Sequence, residues 1–415
     1  MSLPEAIGPE TAATPRWLSI VGIGEDGIEG LSATARELIE AAEIVFGGRR
    51  HLTLAAPLIR GAARPWPSPF DGAAEEVSLH RGRQVCVLAS GDPFQYGVGS
   101  VLARYVDPRE TMVLPAPSAF SLAAARLGWP LPETVLLSLH GRALDLIRPH
   151  LQPAARILAL TSDGDAPTAL AKLLAASGFG ASRLTVLEHL GGPQESIRRT
   201  TAAAFNLGAV GSLNTLAIEV EAAPDARVIG RSAGRPDHLF EHDGQITKRE
   251  IRATTLSSLS PRRGELLWDI GAGSGSVAIE WLLADPTMRA VAIEQQAERA
   301  ERIRRNAAAF GVPGLEIIEG PAPAALAGLP SPNAVFVGGG ASDSGVLDTA
   351  ARALRSGGRL VVNAVTLETE ALLIARHAVL GGELIRIAIS RAAPVGEKSG
   401  WRPAMPVTQW VWTKP

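Results

Sequence analysis

Two successive α/β units are what this sequence predicts, and three observations predict them. Short β-type apolar runs alternate with helical patterns along residues 17–221 and again along 244–415. Each stretch carries a glycine-rich turn directly after an early strand. Between them, residues 222–243 lose periodicity and gain Gly and Pro, the mark of a linker or seam. The chain of 415 residues is also longer than one ordinary core, and divides into an N-terminal extension (1–16), a first domain (17–221), the seam (222–243) and a second domain (244–415).

In the first domain the expected strands are 18–21, 85–89, 135–138, 157–160, 184–187 and 215–220, and the expected helices 33–42, 118–127, 166–177 and 195–205. In the second, a helix over 248–259 leads into strands 266–270, 290–294, 315–318, 334–337, 359–364, 384–390 and 407–412, seven in all. No helical pattern separates the last two. A hairpin there makes the final strand antiparallel in an otherwise parallel sheet, as in the Rossmann-like core of a class I methyltransferase.

Composition narrows the partner. Forty basic against 42 acidic residues leave no global field to recruit nucleic acid or an anionic membrane, so a small molecule is expected. Cys86, the one cysteine, lies inside an apolar strand and reads as a buried, inert thiol, with no disulfide possible. The start Met-Ser-Leu-Pro-Glu has neither a basic nor an apolar leader region, and no run reaches membrane-spanning length. A cytoplasmic, soluble protein is the expectation.

The segment Leu267-Trp268-Asp269-Ile270-Gly271-Ala272-Gly273-Ser274-Gly275-Ser276 reads as a buried strand, a glycine-rich turn and then a helix over 277–283, a cradle for an anionic or polar cofactor. A dinucleotide fingerprint requires glycine where Ser276 stands. G-x-G-x-G followed by an acidic strand end, here Glu294, fits S-adenosylmethionine better, with the carboxylate accepting the ribose hydroxyls. Three further segments end strands of the same sheet. Gly320 and Ala322 border the adenine, while Gly339 and the pair Asn363 and Thr366 face the transferring methyl. Tight turns alone explain any one of these, but their register on a single sheet points to a ligand. An activated sulfonium methyl needs alignment more than covalent help, so the lack of a Ser-His-Asp or Cys-His arrangement is no objection. No metal is expected: His238 and His242 flank Glu241 without a third ligand and read as a surface turn.

In the first domain Gly22-Ile23-Gly24-Glu25-Asp26-Gly27 formally matches G-x-G-x-x-G, yet two carboxylates in the turn would repel a pyrophosphate. Nor does the following segment Phe46-Gly47-Gly48-Arg49-Arg50-His51 supply an acid for a ribose. More telling is Ser90-Gly91-Asp92-Pro93 after a strand, with Pro115-Ala116-Pro117-Ser118-Ala119-Phe120 after the next. Asp92 is either a turn former or a carboxylate meeting the cationic end of the cofactor.

These motifs carry a resemblance in both halves. Residues 17–221 resemble the tetrapyrrole methylases of the cobalamin pathway, through Val21 to Gly27, Gly47 to His51, Ser90 to Gly97, Pro115 to Ser121, Ser138-Leu139-His140-Gly141-Arg142 and Val186-Leu187-Glu188-His189-Leu190-Gly191. Residues 245–415 resemble the decarboxylating corrin methyltransferases, through Ile246-Thr247-Lys248-Arg249-Glu250, Trp268 to Ser276, Glu319 to Ala325, Phe336 to Gly340, Asn363 to Glu368 and Trp401-Arg402-Pro403. Their fusion in this order is similar to the decarboxylating precorrin-6Y C5,15-methyltransferase family. The resemblance implies methylation of a tetrapyrrole at C-5 and C-15 with loss of the ring C acetate carboxyl as carbon dioxide (precorrin-6B to precorrin-8X). It assigns C-5 to the first domain, C-15 and decarboxylation to the second, and one S-adenosylmethionine to each. On the same basis Gly22, Gly24, Gly91, Asp92 and Ser118 would meet one cofactor, and Thr247 would join the second cradle. Pro321 stands where relatives often carry Asp, leaving adenine contact to the backbone of Gly320 or Ala322, and Ala119 replaces one of two paired serines, which leaves Ser118.

A precorrin carries several carboxylates, so cationic donors around an apolar floor are expected. The candidates are Arg49, Arg50, His51, His140 and Arg142 in the first domain and Arg391, Lys398, Trp401 and Arg402 in the second. A solvated surface charge is the alternative for each. A homo-oligomer is expected. Two other functions compete: an RNA or protein methyltransferase, which lacks here an Asn-Pro-Pro-Tyr motif and a basic aromatic face, and a fusion with one half serving only as scaffold.

Overall fold

The protein is described here by a computed structural model covering residues 16–67, 70 and 72–415. The expected N-terminal extension lies outside these residues except for Arg16. The chain packs as two compact units, one running to Arg142 and resuming over Pro153–Ala226, the other formed by Ala143–Gln152 with Arg227–Pro415.

The first unit holds two five-stranded sheets. Strands β1 (Leu18–Ile23), β2 (Ile44–Gly47), β3 (Ala62–Pro65), β4 (Val85–Ser90) and β5 (Thr111–Leu114) form an all-parallel sheet in the order β3-β2-β4-β1-β5. β1 is buried at every position, as a central parallel strand covered on both faces must be. Cys86 sits fully buried in β4, and burial pushes its thiol up to about 12, so it is the inert thiol the sequence suggests. Strands β6 (Thr134–Ser138), β7 (Arg156–Leu160), β8 (Arg183–Glu188), β9 (Ser196–Thr201) and β10 (Asn214–Glu219) form a mixed sheet in the order β6-β7-β10-β8-β9.

One expected helix is absent. Residues 196–201, assigned above to a helix over 195–205, are β9, paired antiparallel to β8 with Leu187 opposite Ile197. The β-branched Ile197, Thr200 and Thr201 suit a pleated strand, and Arg198 reaches back to Glu188 Oε2 at 2.7 Å.

In the second unit β11 (Leu266–Ile270), β12 (Arg289–Glu294), β13 (Glu316–Glu319), β14 (Ala334–Val337), β15 (Arg359–Ala364), β16 (Glu383–Ile387) and β19 (Val407–Thr413) build one seven-stranded sheet, ordered β13-β12-β11-β14-β15-β19-β16. The first five are parallel, and β19 inserts antiparallel between β15 and β16. This is the class I methyltransferase sheet that the apolar runs imply. Between β16 and β19 the chain forms an extra hairpin, β17 (Ser390–Val395) and β18 (Lys398–Pro403), turning at Gly396 with φ 60°. Gly396-Glu397 is thus a two-residue hairpin loop of the kind a positive φ permits.

The seam is divided between the units. From Arg227 onward it packs into the second core, where Ile229, Arg235 and Phe240 are buried. Phe240 stacks on Phe310 with centroids 4.3 Å apart, and the Arg252 guanidinium lies 4.8 Å from the Phe240 ring centroid. Buried Glu280 accepts from the N–H groups of Gly234 (2.7 Å) and Arg235 (2.9 Å) and from Arg252 Nε (2.8 Å). His238 lies in a short 3-10 turn and His242 Nδ1 accepts from Gly244 N–H. Among the described residues no helix is long and apolar enough to cross a membrane.

Candidate functional site

The C-terminal ends of the parallel strands in the second unit open into a cavity of about 630 Å³. The turn after β11 and the turn after β14 meet backbone to backbone there. A Cβ on Gly271 would lie 2.7 Å from the Gly339 carbonyl oxygen, and Gly271 has φ 68°, so glycine is required at 271 for this approach. Gly271, Ala272, Gly273, Thr247, Glu294, Gly320, Ala322, Gly339, Asn363 and Arg391 all line the cavity. Ser274 and Gly275 do not. Ser274 is buried, and a Cβ on Gly275 would strike Ile303 at 2.7 Å, so this half of the turn packs against the helix Ala297–Ala309.

Glu294 ends β12 as the sequence suggests and is buried. It also has a task the sequence does not disclose. Its Oε2 accepts from Gly273 N–H (2.9 Å) and its Oε1 from Gln296 N–H (3.0 Å), so the carboxylate holds the glycine turn while facing the cavity. Gly320 N–H donates to the Glu294 carbonyl at 3.0 Å and is engaged there, which removes it as an adenine donor. Behind the turn, Asp269 Oδ2 accepts from Ala278 N–H (3.0 Å) in the first turn of the helix Ser276–Leu282. Burial pushes its carboxyl up to about 7, with the neighbouring Glu294 charge adding to the rise. Its Oδ1 is buried with no hydrogen-bond partner among the described residues.

Asn363 faces the cavity from the end of β15 and is gripped from behind. Its Nδ2 donates to Thr255 Oγ1 (3.0 Å) and its Oδ1 accepts from Gln409 Nε2 (2.9 Å), the residue opposite it on β19. Thr366 is not at the cavity: it caps the helix Leu367–Leu380 through Thr369 N–H. Arg391, at the base of the β17–β18 hairpin, reaches the lining and pairs with Glu250. Lys398, Trp401 and Arg402 stand exposed along β18, away from the lining, because the hairpin turns them off the sheet.

The residues present fit S-adenosylmethionine. The close-packed turns expose backbone to the ligand, Glu294 offers carboxylate oxygens to hydroxyls, and Glu250, Glu294 and Asp343 suit a cationic sulfonium among Ile270 and Ile293.

The first unit has its own cavity, of about 760 Å³, lined by residues from both of its sheets. Gly24, Gly91, Ser118 and His140 line it. Gly22 sits just beneath, where a Cβ would lie 1.9 Å from the Gly91 carbonyl oxygen and 2.5 Å from Ala116 N, so it permits three strand ends to converge. Ser118 caps the helix Ala119–Leu127 by accepting from Ser121 N–H at 3.2 Å. Asp92 is not brought to the lining. Its Oδ1 accepts from Phe94 N–H at 2.8 Å, the geometry of a turn former.

Of the expected cations, Arg50 lines this cavity and Arg49 and Arg142 do not; Arg142 instead donates to the Ser138 carbonyl. Burial, helped by the Arg50 charge, lowers His51 to about 4, so it is a neutral imidazole rather than a cationic donor. His140 Nδ1 donates to the Thr161 carbonyl at 3.1 Å. The sequence does not reveal that Glu25, Arg50 and His189 form one cluster at the wall. Arg50 pairs with Glu25 Oε1, and His189 Nδ1 lies 3.0 Å from Glu25 Oε2. Burial alone would raise Glu25, but the His189 hydrogen bond and Arg50 outweigh it and hold the carboxyl below its usual range. The signal available in the sequence is the carboxylate in a glycine turn; its partner is 164 residues away.

Residues 18–206 match the family model of tetrapyrrole (corrin/porphyrin) methylases, and residues 238–414 that of the precorrin methyltransferase domain. A Sinorhizobium protein named precorrin-6Y C(5,15)-methyltransferase [decarboxylating] is 61% identical over 98% of this chain and 98% of its own length. A protein of the same name from Mycobacterium tuberculosis is 41% identical, covering 95% of this chain and 99% of its own. The cobalt-precorrin-6B C(15)-methyltransferase (decarboxylating) of Salmonella typhimurium is 32% identical over 41% of this chain and 91% of its own length. With two cavities at strand ends, a glycine turn closed by an acidic strand end, and relatives matched from end to end, the chain belongs to the decarboxylating precorrin-6Y C(5,15)-methyltransferase family.

Proposed function

We propose that the two cavities divide the family's reaction, the first unit methylating C-5 of a precorrin and the second methylating C-15 and releasing the ring C acetate carboxyl as carbon dioxide. S-adenosylmethionine supplies an activated methyl group to each. The observation that carries this reading is the presence of two separately built cavities, each large enough for a small ligand and each formed where strand ends and glycine turns converge. A relative of single-unit length whose name specifies C(15) and decarboxylation supports giving that chemistry to one unit.

In the second unit Glu294 and the Gly271 to Gly273 backbone bind the ribose side of the cofactor, and Asn363, held by Thr255 and Gln409, orients substrate beside Gly339. The apolar walls Ile270, Ile293 and Val407 exclude water, which strengthens every charge interaction inside. Arg391 and Lys248 meet substrate carboxylates. In the first unit Gly24, Gly91 and Ser118 form the cofactor side, and Arg50 and His140 the substrate side.

Equilibrium dialysis of the full chain against labelled S-adenosylmethionine tests the count. Two equivalents bound per chain are expected. A single equivalent rejects the divided reaction in favour of a scaffold half.

A further inference from the structure

Methylation of a meso carbon has a requirement that the cofactor does not meet. C-5 of the macrocycle forms a bond to the methyl carbon while the methyl–sulfur bond breaks and its electron pair stays on sulfur. The macrocycle has then gained one positive charge and must shed one proton to return to its starting charge. Something at the first-unit cavity must receive it.

Three histidines lie at or beside this cavity, and their surroundings differ. His51 Nε2 lies 2.8 Å from Arg50 Nη2 and 2.9 Å from Ser90 Oγ, so that nitrogen is engaged. His140 donates Nδ1–H to a backbone carbonyl. His189 alone has a carboxylate on Nδ1. Glu25 is fixed from its other side by Arg50, and an ionised carboxylate accepts only, so the hydrogen resides on His189 Nδ1 and the lone pair on Nε2. The backbone holds the ring in place. His189 adopts φ 48°, its N–H donates to the Leu213 carbonyl, and its carbonyl accepts from Gly192 N–H. Gly211 has no side chain to cover Nε2; a Cβ there would stand 3.4 Å from that nitrogen. The adjacent Glu188 is turned to Arg198 and Gly211 N–H, leaving Glu25 as the carboxylate bound to the ring.

We infer that His189 Nε2 is the general base that takes the proton shed on C-5 methylation, with Glu25 as the positioning residue that fixes its tautomer and stabilises the imidazolium formed. This rests on the reading that C-5 chemistry occurs in the first-unit cavity.

Three variants of the full chain test it. Asn tolerates the left-handed backbone at position 189, so His189→Asn should keep the fold and the bound cofactor. It should lose C-5 methylation by about 100-fold or more while C-15 methylation and decarboxylation continue. Glu25→Gln is read without turnover, by ¹⁵N NMR of histidine-labelled protein. Wild type should show His189 protonated at Nδ1 and bare at Nε2, and Glu25→Gln should lose that tautomer. Ser212→Trp, a change at an exposed lining position, blocks the cavity. C-5 methylation that survives His189→Asn but not Ser212→Trp overturns the base and keeps the cavity. Survival in both overturns the reading beneath it. A Glu25→Gln spectrum identical to wild type overturns the positioning role, even where His189→Asn fails to fold.

Discussion

At position 294 one carboxylate holds the glycine turn and, in the function proposed above, also meets the cofactor ribose, and that sets what its removal costs. Glu294→Gln places an amide nitrogen against the N–H of Gly273 or Gln296, donor against donor, besides weakening the acceptor offered to a ribose. Cofactor affinity of the second site should fall by about 1–3 kcal/mol, read by calorimetry on the full chain. Unchanged affinity with an intact fold contradicts the role. Asp92 goes the other way. Since its Oδ1 already accepts from Phe94 N–H, Asp92→Asn preserves that bond, and C-5 methylation should stay within a few-fold of wild type, whereas Asp92→Ala should unsettle the turn. A loss on Asp92→Asn comparable with that of His189→Asn would restore the charge-based reading of this residue. Glu294 was legible because strand, glycine turn and acidic strand end are consecutive in sequence. Glu25 and His189 were not, because only the tertiary fold brings residues 164 apart into contact.

The strand β11 and the turn it feeds form an element with an unusual charge state. Asp269 titrates near 3.8 when exposed and near 7 in the fold, so between those values the folded chain keeps a proton that the unfolded chain has released. Its contribution is fully present below the lower value and is lost as pH rises through the upper one. Asp269→Asn abolishes that slope while keeping an acceptor for Ala278 N–H. Denaturant unfolding at about pH 5 and about pH 8 should therefore show the variant gaining on wild type at the higher pH. An equal difference at both places the Asp269 titration outside this window. Elements buried on both faces, such as β1 and β11, are legible as apolar runs. β9 and the β17–β18 hairpin are not, since both are polar and partly exposed, and their pairing with a neighbour rather than local periodicity decides their state.

On the scale of the molecule, the place where the chain is cut decides whether the second unit survives alone. A fragment starting at residue 241 lacks Arg235, Asp237 and Phe240, which removes partners of buried Glu280 and Arg252 and the ring stacked on Phe310. Breaking such a buried network costs about 3–5 kcal/mol. A fragment over 227–415 keeps it and should melt well above one over 241–415; equal melting temperatures would show that the network contributes nothing. Polar spacing and breakers hid this in the sequence, where 222–243 reads as a linker. The claim that two cavities divide one reaction is tested most directly by mass spectrometry with positional assignment of the methyl groups, after incubating precorrin-6B and S-adenosylmethionine with the full chain and with Ser212→Trp. Wild type should add two methyl groups and lose one carbon dioxide, and Ser212→Trp should add one, at C-15, and still lose carbon dioxide. A Ser212→Trp protein that methylates both carbons, or that remains folded yet methylates neither, contradicts the division.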